Sequence, residues 1–185
     1  MTIDAIWTPE TQQRVFHRLL NAMARPATLW DISDIIGGEP SWKAALATLI
    51  DGSVNLSDPN NMLDDRSWKF FQAAAASPDK AGYIVADGTS QPKFEPFSGS
   101  LESPENGATI ILCVSRLGES GPCLTCSGPG IEDTYDLVLS GLSAQWIEKR
   151  GQWNKNFPLG VDFILADDRR IAALPRTTRV KIKEA

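Results

Sequence analysis

The sequence has few of the residues on which common catalytic and metal sites depend. It contains three cysteines and one histidine among 185 residues. Three cysteines cannot all pair within one chain, and so sparse a set is not typical of a secreted disulfide framework, so we expect reduced thiols. His17 has no serine, cysteine or carboxylate near it in the sequence that would complete a recognisable triad. We expect a partly exposed helix position for His17, with general acid–base catalysis as the alternative.

Excess positive charge and long apolar runs are also missing. The chain has 18 lysines and arginines against 23 aspartates and glutamates, a net charge of -5. This argues against a nucleic-acid partner, because neutralising phosphates needs clustered cations. The longest apolar runs, 109–114 and 163–166, fall far short of the ~20 residues that cross a bilayer. The start, MTIDAIWTPE, has neither the basic residues nor the apolar stretch of a signal peptide. We therefore predict a cytoplasmic protein that binds neither nucleic acid nor membranes.

The length and the 42% hydrophobic content suit one domain, 1–185, with one core. Apolar residues at helical spacing, with caps at Thr8 and Ser41 and stops at Pro26 and Gly52, predict helices. The predicted helices cover 8–25, 41–51, 61–75 and 135–149. The predicted strands cover 27–32, 54–56, 82–86, 108–114, 124–127, 161–166 and 170–173. Interleaved helices and strands predict an α/β fold, a three-layer α/β/α sandwich around a mixed sheet.

The connections between these elements carry two further predictions. Residues 88–106 contain three prolines and two glycines and little periodicity. We predict a long surface loop there, the best candidate for contact with a partner protein. A turn at 118–121 is predicted to fold the strand at 124–127 back onto 108–114 as a hairpin.

Cys123 and Cys126 have the CxxC spacing that zinc sites and redox motifs use. On a strand, residues three apart point to opposite faces, so the two sulfurs do not converge without a bend. The sequence has no second CxxC, and Cys113 does not supply the closely spaced third ligand of an iron-sulfur cluster. We favour two small apolar strand residues, with a metal or redox role as the alternative.

A glycine-rich turn and two acidic pairs are further candidates. The segment Ser127-Gly-Pro-Gly130, between a predicted strand and a predicted helix, suggests a phosphate loop. It matches no phosphate-loop pattern and Pro129 removes one N–H donor, so we favour a structural turn. Asp64-Asp65 and Asp167-Asp168 place neighbouring carboxylates in diverging directions, which favours helix-end and turn roles over a shared metal. We predict no metal site.

The segment Arg176-Thr177-Thr178-Arg179 is the strongest local candidate for binding a ligand. Guanidinium groups and hydroxyls are the donors that bind phosphate or phosphonate oxygens. On a strand, Arg176 and Thr178 would share one face. Arg176, Thr177 and Thr178 are therefore the predicted ligand-binding residues. An exposed edge strand kept soluble by its charges is the alternative explanation of the same residues.

Five segments resemble, in order, the signature motifs of one family. The segment from Phe16 to Met23, followed by Pro26, is similar to the pattern FRxLLxAMxxPG, with Ala27 where the family usually has glycine. The other segments are GATIIL at 107–112, LTCSGPGI at 124–131, FPLGVD at 157–162 and LPRTT at 174–178. The chain thereby resembles the H subunit of the bacterial carbon-phosphorus lyase core complex, the PhnH family of phosphonate metabolism. Residues 30–100 agree with that family only in general pattern.

The resemblance implies a fold and a role. The implied fold is that of the large domain of pyridoxal-phosphate-dependent transferases, without the cofactor. The implied role is that of a homodimer that joins the G, I and J subunits in the core complex. That complex exchanges the adenine of a nucleoside triphosphate for an alkylphosphonate, and iron-sulfur and S-adenosylmethionine chemistry in the J subunit then cleaves the carbon-phosphorus bond. The H subunit is implied to be noncatalytic and needed for assembly or for presenting substrate.

Two alternatives come from other functional classes. An unrecognised pyridoxal-phosphate transferase would need a Schiff-base lysine, but no lysine lies in a context recognisable as such a site. The lysines are Lys43, Lys69, Lys80, Lys93, Lys149, Lys155, Lys181 and Lys183. A phosphorylated-metabolite-binding module would instead use Arg176, Thr177 and Thr178. We expect no cofactor and no activity of the chain on its own.

Overall fold

Helices and strands alternate along the chain in a computed structural model, which describes residues 4–183. The helices are α1 (Pro9–Ala24), α2 (Ser41–Leu49), α3 (Asp65–Phe71) and α4 (Ala144–Trp153), with 3-10 turns at Ala5–Trp7 and Pro104–Asn106. The strands are β1 (Trp30–Asp31), β2 (Asn55–Ser57), β3 (Ala74–Ala75), β4 (Tyr83–Asp87), β5 (Thr109–Cys113), β6 (Arg116–Leu117), β7 (Cys123–Ser127), β8 (Tyr135–Ser140), β9 (Asp162–Ala166), β10 (Arg170–Leu174) and β11 (Arg179–Ile182). The predicted α/β class is confirmed.

Seven strands form the main sheet in the order β1-β10-β9-β5-β4-β2-β3. The neighbours from β9 to β3 are parallel, whereas β1, β10 and β9 pair antiparallel. The sheet is therefore mixed, as predicted. Because β9, β5, β4 and β2 run in one direction, the loops that follow β2, β4 and β5 gather at one edge of the sheet. The loops that precede β5 and β9 gather at the other.

Strand β5 lies in the middle of the main sheet and is buried on both faces. Ile110 and Leu112 pack on one side and Ile111 on the other, each with 0% exposure. Burying each of these side chains stabilises the fold by roughly 1.5–3 kcal/mol. The predicted central strand is confirmed, since an apolar run without alternation is what two covered faces require.

Helix α1 begins where the sequence predicts. The Thr8 hydroxyl accepts a hydrogen bond from the Thr11 N–H at 3.4 Å, and Pro9 occupies the first position, where its missing N–H costs nothing. Val15 and Leu19 are buried in the cluster that α1 shares with α2, α3 and the sheet. These three helices cover one face of the main sheet.

The opposite face is covered by a second sheet together with α4. The second sheet has the order β11-β7-β8-β6, and all of its pairs are antiparallel. Leu124, Leu137 and Leu139 of this sheet pack with Trp146 and Trp153 of α4 against the main sheet. This layer therefore contains strands as well as the helix that the sequence predicted.

The predicted helix at 135–149 is wrong in its first half. Tyr135–Ser140 forms β8, and α4 begins only at Ala144. In β8 the buried residues are Leu137 and Leu139. Their spacing of two residues is the period of a strand. Pairing with β7 satisfies the backbone groups of this segment, and this outweighs the helical spacing of its apolar residues.

The predicted hairpin between 108–114 and 124–127 is also wrong. Strand β7 pairs with β8 and β11 in the second sheet rather than with β5. The short strand β6 follows β5 and already belongs to the second sheet, where Leu117 lies opposite Leu139. The chain therefore changes sheets before the turn at 118–121, which prevents a hairpin across it.

Helices α2 and α3 differ from prediction in detail. Ser41 is the first residue of α2 and not its cap, because its hydroxyl is buried and donates to the carbonyl oxygen of Asp167 at 2.6 Å. Helix α3 is shorter than 61–75, and residues Ala74–Ala75 instead pair with β2 as a strand. Contacts distant in the sequence decide both differences.

The remaining predictions are closer to the structure. The strands at 82–86, 161–166 and 170–173 are confirmed as β4, β9 and β10, whereas within 27–32 only Trp30–Asp31 pairs. The loop at 88–106 is irregular apart from its 3-10 turn. Within residues 4–183 no helix is both long and apolar enough to span a membrane.

Candidate functional site

Arg176 joins three of the motif segments at the amino ends of β5 and β9. Its Nη2 forms an ion pair with Oδ2 of Asp162 at 2.7 Å, and its backbone N–H donates to Oδ1 of the same carboxylate at 2.6 Å. The two side chains are 13% and 16% exposed, so the pair is largely shielded from water. This two-point contact fixes the LPRTT segment against the start of β9.

The other donors of Arg176 are directed at backbone carbonyls. Nη1 donates to Pro104 at 2.6 Å and to Pro158 at 3.4 Å, and Nη2 donates to Gly107 at 3.4 Å. These carbonyls belong to the loops that precede β5 and β9. The guanidinium group therefore has protein acceptors for its N–H groups. It joins the LPRTT segment to the loops that precede β5 and β9, and this cluster is called here the Arg176 corner.

A second arginine holds the same segment from the side of α4. Arg150 is 3% exposed and donates to the carbonyls of Leu174, Pro175 and Thr178 at 3.2, 2.5 and 2.9 Å. Its guanidinium carbon lies 5.6 Å from the centre of the Phe163 ring, within the range of a cation–π contact. Burial lowers the pKa of Arg150 to about 10, which still leaves the group charged at neutral pH.

Gly107 lies where the GATIIL segment contacts the FPLGVD and LPRTT segments, which Arg176 joins. A Cβ atom at this position would collide with the carbonyl oxygen of Gly160 and lie 2.9 Å from Nη1 of Arg176. Only glycine allows the backbones to approach so closely. The glycine of this motif is therefore explained by packing.

The three predicted ligand-binding residues differ in what they can reach. Arg176 is engaged within the fold, and Thr178 is 2% exposed, with no hydrogen-bond partner for its Oγ1 in the described part of the chain. Thr177 is exposed. The three form a turn before β11 rather than a strand, so Arg176 and Thr178 do not share a strand face. Anion binding by these residues stays a prediction.

The glycine-rich turn at 127–130 contacts the LPRTT segment and the end of α1. A Cβ atom on Gly128 would lie 2.9 Å from the Thr177 carbonyl oxygen, and one on Gly130 would lie 2.8 Å from Pro26. The turn is closed by the Ile131 N–H, which donates to the Gly128 carbonyl at 3.1 Å, and it leads into β8. No helix N-terminus follows to bind a phosphate, so the geometry supports the structural turn.

The two cysteines of the CxxC lie in β7 and alternate between its faces. Cys126 is buried, whereas Cys123 is on the half-exposed face. Burial raises the pKa of Cys126 to about 11, and burial together with Asp136 raises that of Cys123. Because the two side chains lie on opposite faces of β7, their sulfurs do not converge, which supports two ordinary strand residues. Within residues 4–183 no group of three or more His, Cys, Asp or Glu is placed to hold a metal ion.

The acidic pairs serve as a helix cap and a turn. In Asp64-Asp65 the first carboxylate accepts a backbone N–H of the first turn of α3 at 2.7 Å. Asp167 is buried in the turn between β9 and β10, where it accepts the N–H of Leu117 at 2.9 Å. Asp168 is exposed and pairs with Arg116 at 3.5 Å. Asp167 and Asp168 therefore have different partners, and Asp64 caps a helix, in agreement with the predicted helix-end and turn roles.

Helix α1 presents an apolar strip at the surface. The helical spacing predicts Phe16, Leu20 and Met23 in the buried face, but Phe16 and Leu20 are 47% and 58% exposed. With Met23, Leu49 and Tyr83 they line an open groove of about 150 Å³, called here the α1 groove. Contiguous exposed apolar side chains of this kind mark interaction sites. The first family motif therefore contributes to a surface as well as to the core.

His17 is on α1 and is exposed, as the sequence predicts. Arg14 and Arg18 border the same surface. Arg14 forms an ion pair with Asp34 at 3.3 Å, and the Arg18 guanidinium lies 5.7 Å from the Trp30 ring. This surface shares no described lining residue with the α1 groove.

Arg150 and Asp162, which hold the Arg176 corner together, were not identified from the sequence. The acceptors of Arg150 lie 24 to 28 residues further along the chain, and no local pattern marks them. The ion pair of Asp162 with Arg176 was easier to predict than the contacts of Arg150, because Asp162 ends the FPLGVD motif and Arg176 lies in the LPRTT motif. A carboxylate and an arginine in two signature segments suggest an ion pair between them.

Comparison with known proteins identifies similar chains. The model of the family described as bacterial phosphonate metabolism protein (PhnH) matches residues 5–181. A protein of Stutzerimonas stutzeri, named putative C-P lyase subunit protein HtxG, is 39% identical over 180 residues, which cover 97% of this chain and 91% of that protein. A protein of Rhizobium meliloti (strain 1021), named alpha-D-ribose 1-methylphosphonate 5-triphosphate synthase subunit PhnH, is 29% identical over 181 residues, with 91% and 90% covered.

Proposed function

Because the chain belongs to the bacterial phosphonate metabolism protein (PhnH) family, we propose that it is a noncatalytic subunit of a carbon-phosphorus lyase core complex. In that complex it supports assembly or presents substrate for ribosyl-phosphonate triphosphate formation and carbon-phosphorus bond cleavage. One observation carries the noncatalytic part of the proposal. The motif residues Arg176, Asp162 and Gly107 contact one another instead of lining an open site.

We propose that the α1 groove is an assembly surface. Phe16 and Leu20 leave apolar area in water, and a partner that covers them gains hydrophobic free energy. The proposed partners are a second copy of the chain, which forms a homodimer, and the G, I and J subunits. The names of both relatives describe them as subunits, which supports a role in an assembly. The proposed location is the cytoplasm.

We also propose one domain over 1–185 with three layers, related to the large domain of pyridoxal-phosphate transferases without the cofactor. Both core clusters contain residues of the main sheet, which supports a single domain. All eight lysines are exposed or half-buried, whereas an internal Schiff base needs a lysine that is desolvated or otherwise activated. This argues against an internal Schiff base, so the proposed kinship concerns the fold and not the chemistry.

A phosphorylated-metabolite site at residues 176–178 is the alternative function. The exposed hydroxyl of Thr177 favours it, since this group is free to donate to a phosphate oxygen. Calorimetric titration with a sugar phosphate tests it through Thr177→Val, which leaves the ion pair of Arg176 intact. Unchanged binding in this variant, or none in the parent, removes the alternative.

Co-expression with the G, I and J subunits tests the proposed assembly. An affinity tag on this chain is expected to retain all three partners, and light scattering after size exclusion gives the stoichiometry. Leu20→Glu in the α1 groove is expected to weaken retention, because a carboxylate replaces exposed apolar surface. Ile182→Glu is the matched control, since Ile182 is 40% exposed and lies on β11 in the second sheet.

The predicted partner loop at 88–106 is tested in the same experiment. Leu101 in this loop is 80% exposed, and Leu101→Glu is expected to lower retention if the loop contacts a partner. Retention of all partners by both Leu20→Glu and Leu101→Glu overturns the assignment of these surfaces. Retention of no partner by the parent chain overturns the proposed function.

A further inference from the structure

A cavity of about 230 Å³ lies at the carboxyl ends of the parallel strands β2 and β4. Its walls come from the loop after β2, the loop after β4 and α4. In open α/β sheets this edge is where ligands bind. The cavity lies at the edge opposite to the Arg176 corner and contains none of the residues discussed there.

The cavity walls are held in place by two hydrogen bonds between distant segments. Oδ1 of Asn60 accepts the backbone N–H of Asp87 at 3.0 Å, which joins the two loops. Nε1 of Trp146 donates to the carbonyl oxygen of Ser90 at 2.7 Å, which joins the second loop to α4. A site built in this way is formed before any ligand arrives.

The lining contains two side chains that can donate hydrogen bonds to an anion, Asn60 and Lys93, together with Gln91, which can both donate and accept. Oδ1 of Asn60 is engaged, so the group of this side chain that remains available is its amide N–H₂ donor. Lys93 also lines the cavity, and its ammonium group forms no ion pair with any residue from 4 to 183. The described lining contains no carboxylate. This combination favours an anion in a chain whose net charge is -5.

Two carboxylates on the same loops, Asp87 and Asp58, accept hydrogen bonds within those loops. Asp87 accepts the N–H and the hydroxyl of Thr89 at 2.9 and 2.7 Å. Asp58 accepts the backbone N–H groups of Met62 and Leu63 at 2.9 and 2.8 Å. Each carboxylate is stabilised by its own loop, and neither lines the cavity.

The apolar part of the lining and the volume limit the size of the ligand. Phe94 and Trp146 are in edge-to-face contact with ring centres 5.9 Å apart, and Pro59 and Pro92 complete the apolar walls. At ~30 Å³ for each water molecule, 230 Å³ corresponds to roughly eight waters. This is below the ~300–1,000 Å³ of pockets for drug-sized ligands, which favours a ligand smaller than a nucleoside triphosphate.

We propose that this cavity binds a short-chain organic anion, specifically an alkylphosphonate. The Lys93 ammonium and the Asn60 amide contact the phosphonate oxygens, and the alkyl group lies against Phe94 and Trp146. The anionic and apolar character follows from the lining alone. The choice of a phosphonate rests on the proposed function, which gives the cavity a role in presenting substrate.

Calorimetric titration of the full chain with ethylphosphonate tests the proposal, with inorganic phosphate, butanoate and tetramethylammonium as comparison probes. We expect saturable binding that is strongest for ethylphosphonate and undetectable for the cation. Lys93→Gln is expected to weaken binding by roughly tenfold or more, since it removes a charge-assisted contact. Asn60→Asp keeps the oxygen that accepts from Asp87 but places a carboxylate at the cavity, so binding is expected to be lost.

Two matched control variants change exposed residues away from the cavity. Lys155→Gln and Asn156→Asp make the same chemical changes in an exposed turn and are expected to bind like the parent. No saturable binding by the parent, or equal binding by Lys93→Gln and Lys155→Gln, overturns the site. Equal affinity for butanoate and ethylphosphonate overturns the phosphonate assignment, and equal affinity for inorganic phosphate overturns the role of the apolar walls. Partner retention by Lys93→Gln is measured separately, so failure of the cavity is distinguishable from failure of the proposed assembly.

Discussion

Two arginines organise the LPRTT turn by different chemistry. Arg176 is matched by the Asp162 carboxylate, which offsets the cost of removing its charge from water. Arg150 has three backbone carbonyls within hydrogen-bond distance and is 3% exposed. Burial lowers its pKa to about 10, which records the cost of desolvation. Removing Arg150 would therefore break three hydrogen bonds that hold the LPRTT turn against α4.

We predict that Arg150→Met destabilises the fold by roughly 2–4 kcal/mol, because methionine fills the space but removes three hydrogen bonds from a buried guanidinium group to backbone carbonyls. Urea unfolding with linear extrapolation measures the change. Arg179→Met is the control, since Arg179 is exposed on β11 and its loss is expected to stay within about 0.5 kcal/mol. Equal effects of the two substitutions would contradict the role given to Arg150.

The three thiols are predicted to react slowly with a disulfide reagent at pH 8. Only the thiolate attacks such a reagent, and burial raises the pKa of Cys126 to about 11 and that of Cys113 still further. Cys123 also has a raised pKa, so its thiolate fraction is small at this pH. Absorbance is expected to rise to three thiols per chain only after unfolding in urea. If two thiols of the native chain react rapidly with the reagent, the CxxC is reactive and the prediction is contradicted.

The residue scale also shows how much of the site could be predicted from the sequence. Arg176 stood out because arginine next to two threonines is a recognisable set of donors. Its partner Asp162 lies 14 residues earlier, and only the fold brings the two together. The burial of Thr178 was unpredictable for the same reason, since it depends on how the turn packs against α4.

At the scale of elements, the accurate predictions concern segments whose local pattern and tertiary role agree. Strand β5 is uniformly apolar because both of its faces are covered. Segment 135–149 misled because its apolar residues fit two periods, with Val138 and Trp146 at helical spacing and Leu137 and Leu139 at strand spacing. The pairing partner β7 decides between these periods, and that contact is not visible in the segment itself.

Gly107→Ala is predicted to destabilise the fold by about 2 kcal/mol or more, because its Cβ would meet the Gly160 carbonyl. Gly107 has an ordinary φ of -58°, which alanine adopts without strain. The loss of stability in Gly107→Ala therefore measures the steric contact alone. The control is Gly151→Ala in α4, where a Cβ meets nothing within 4 Å and helix propensity favours alanine by up to ~1 kcal/mol. Thermal unfolding compares the two variants. A Gly107→Ala chain as stable as the parent would contradict the close packing of the motif segments.

At the scale of the whole molecule, two observations support the proposed action within an assembly. The motif residues at the Arg176 corner contact one another and hold the fold together. The α1 groove leaves apolar side chains at the surface.

The predicted layers were only partly right, because a second sheet shares its layer with α4. Its strands pair across long sequence distances, as between β7 and β11, which local patterns do not reveal.

The most direct test of the proposed noncatalytic role is reconstitution of the core complex from purified subunits. Conversion of an alkylphosphonate and a nucleoside triphosphate to the ribosyl-phosphonate triphosphate is followed by phosphorus NMR, with and without this chain. We predict full conversion with all subunits present, a severe loss when this chain is omitted, and none with this chain alone. Turnover by the chain alone, or full activity of a complex that lacks it, would contradict the account.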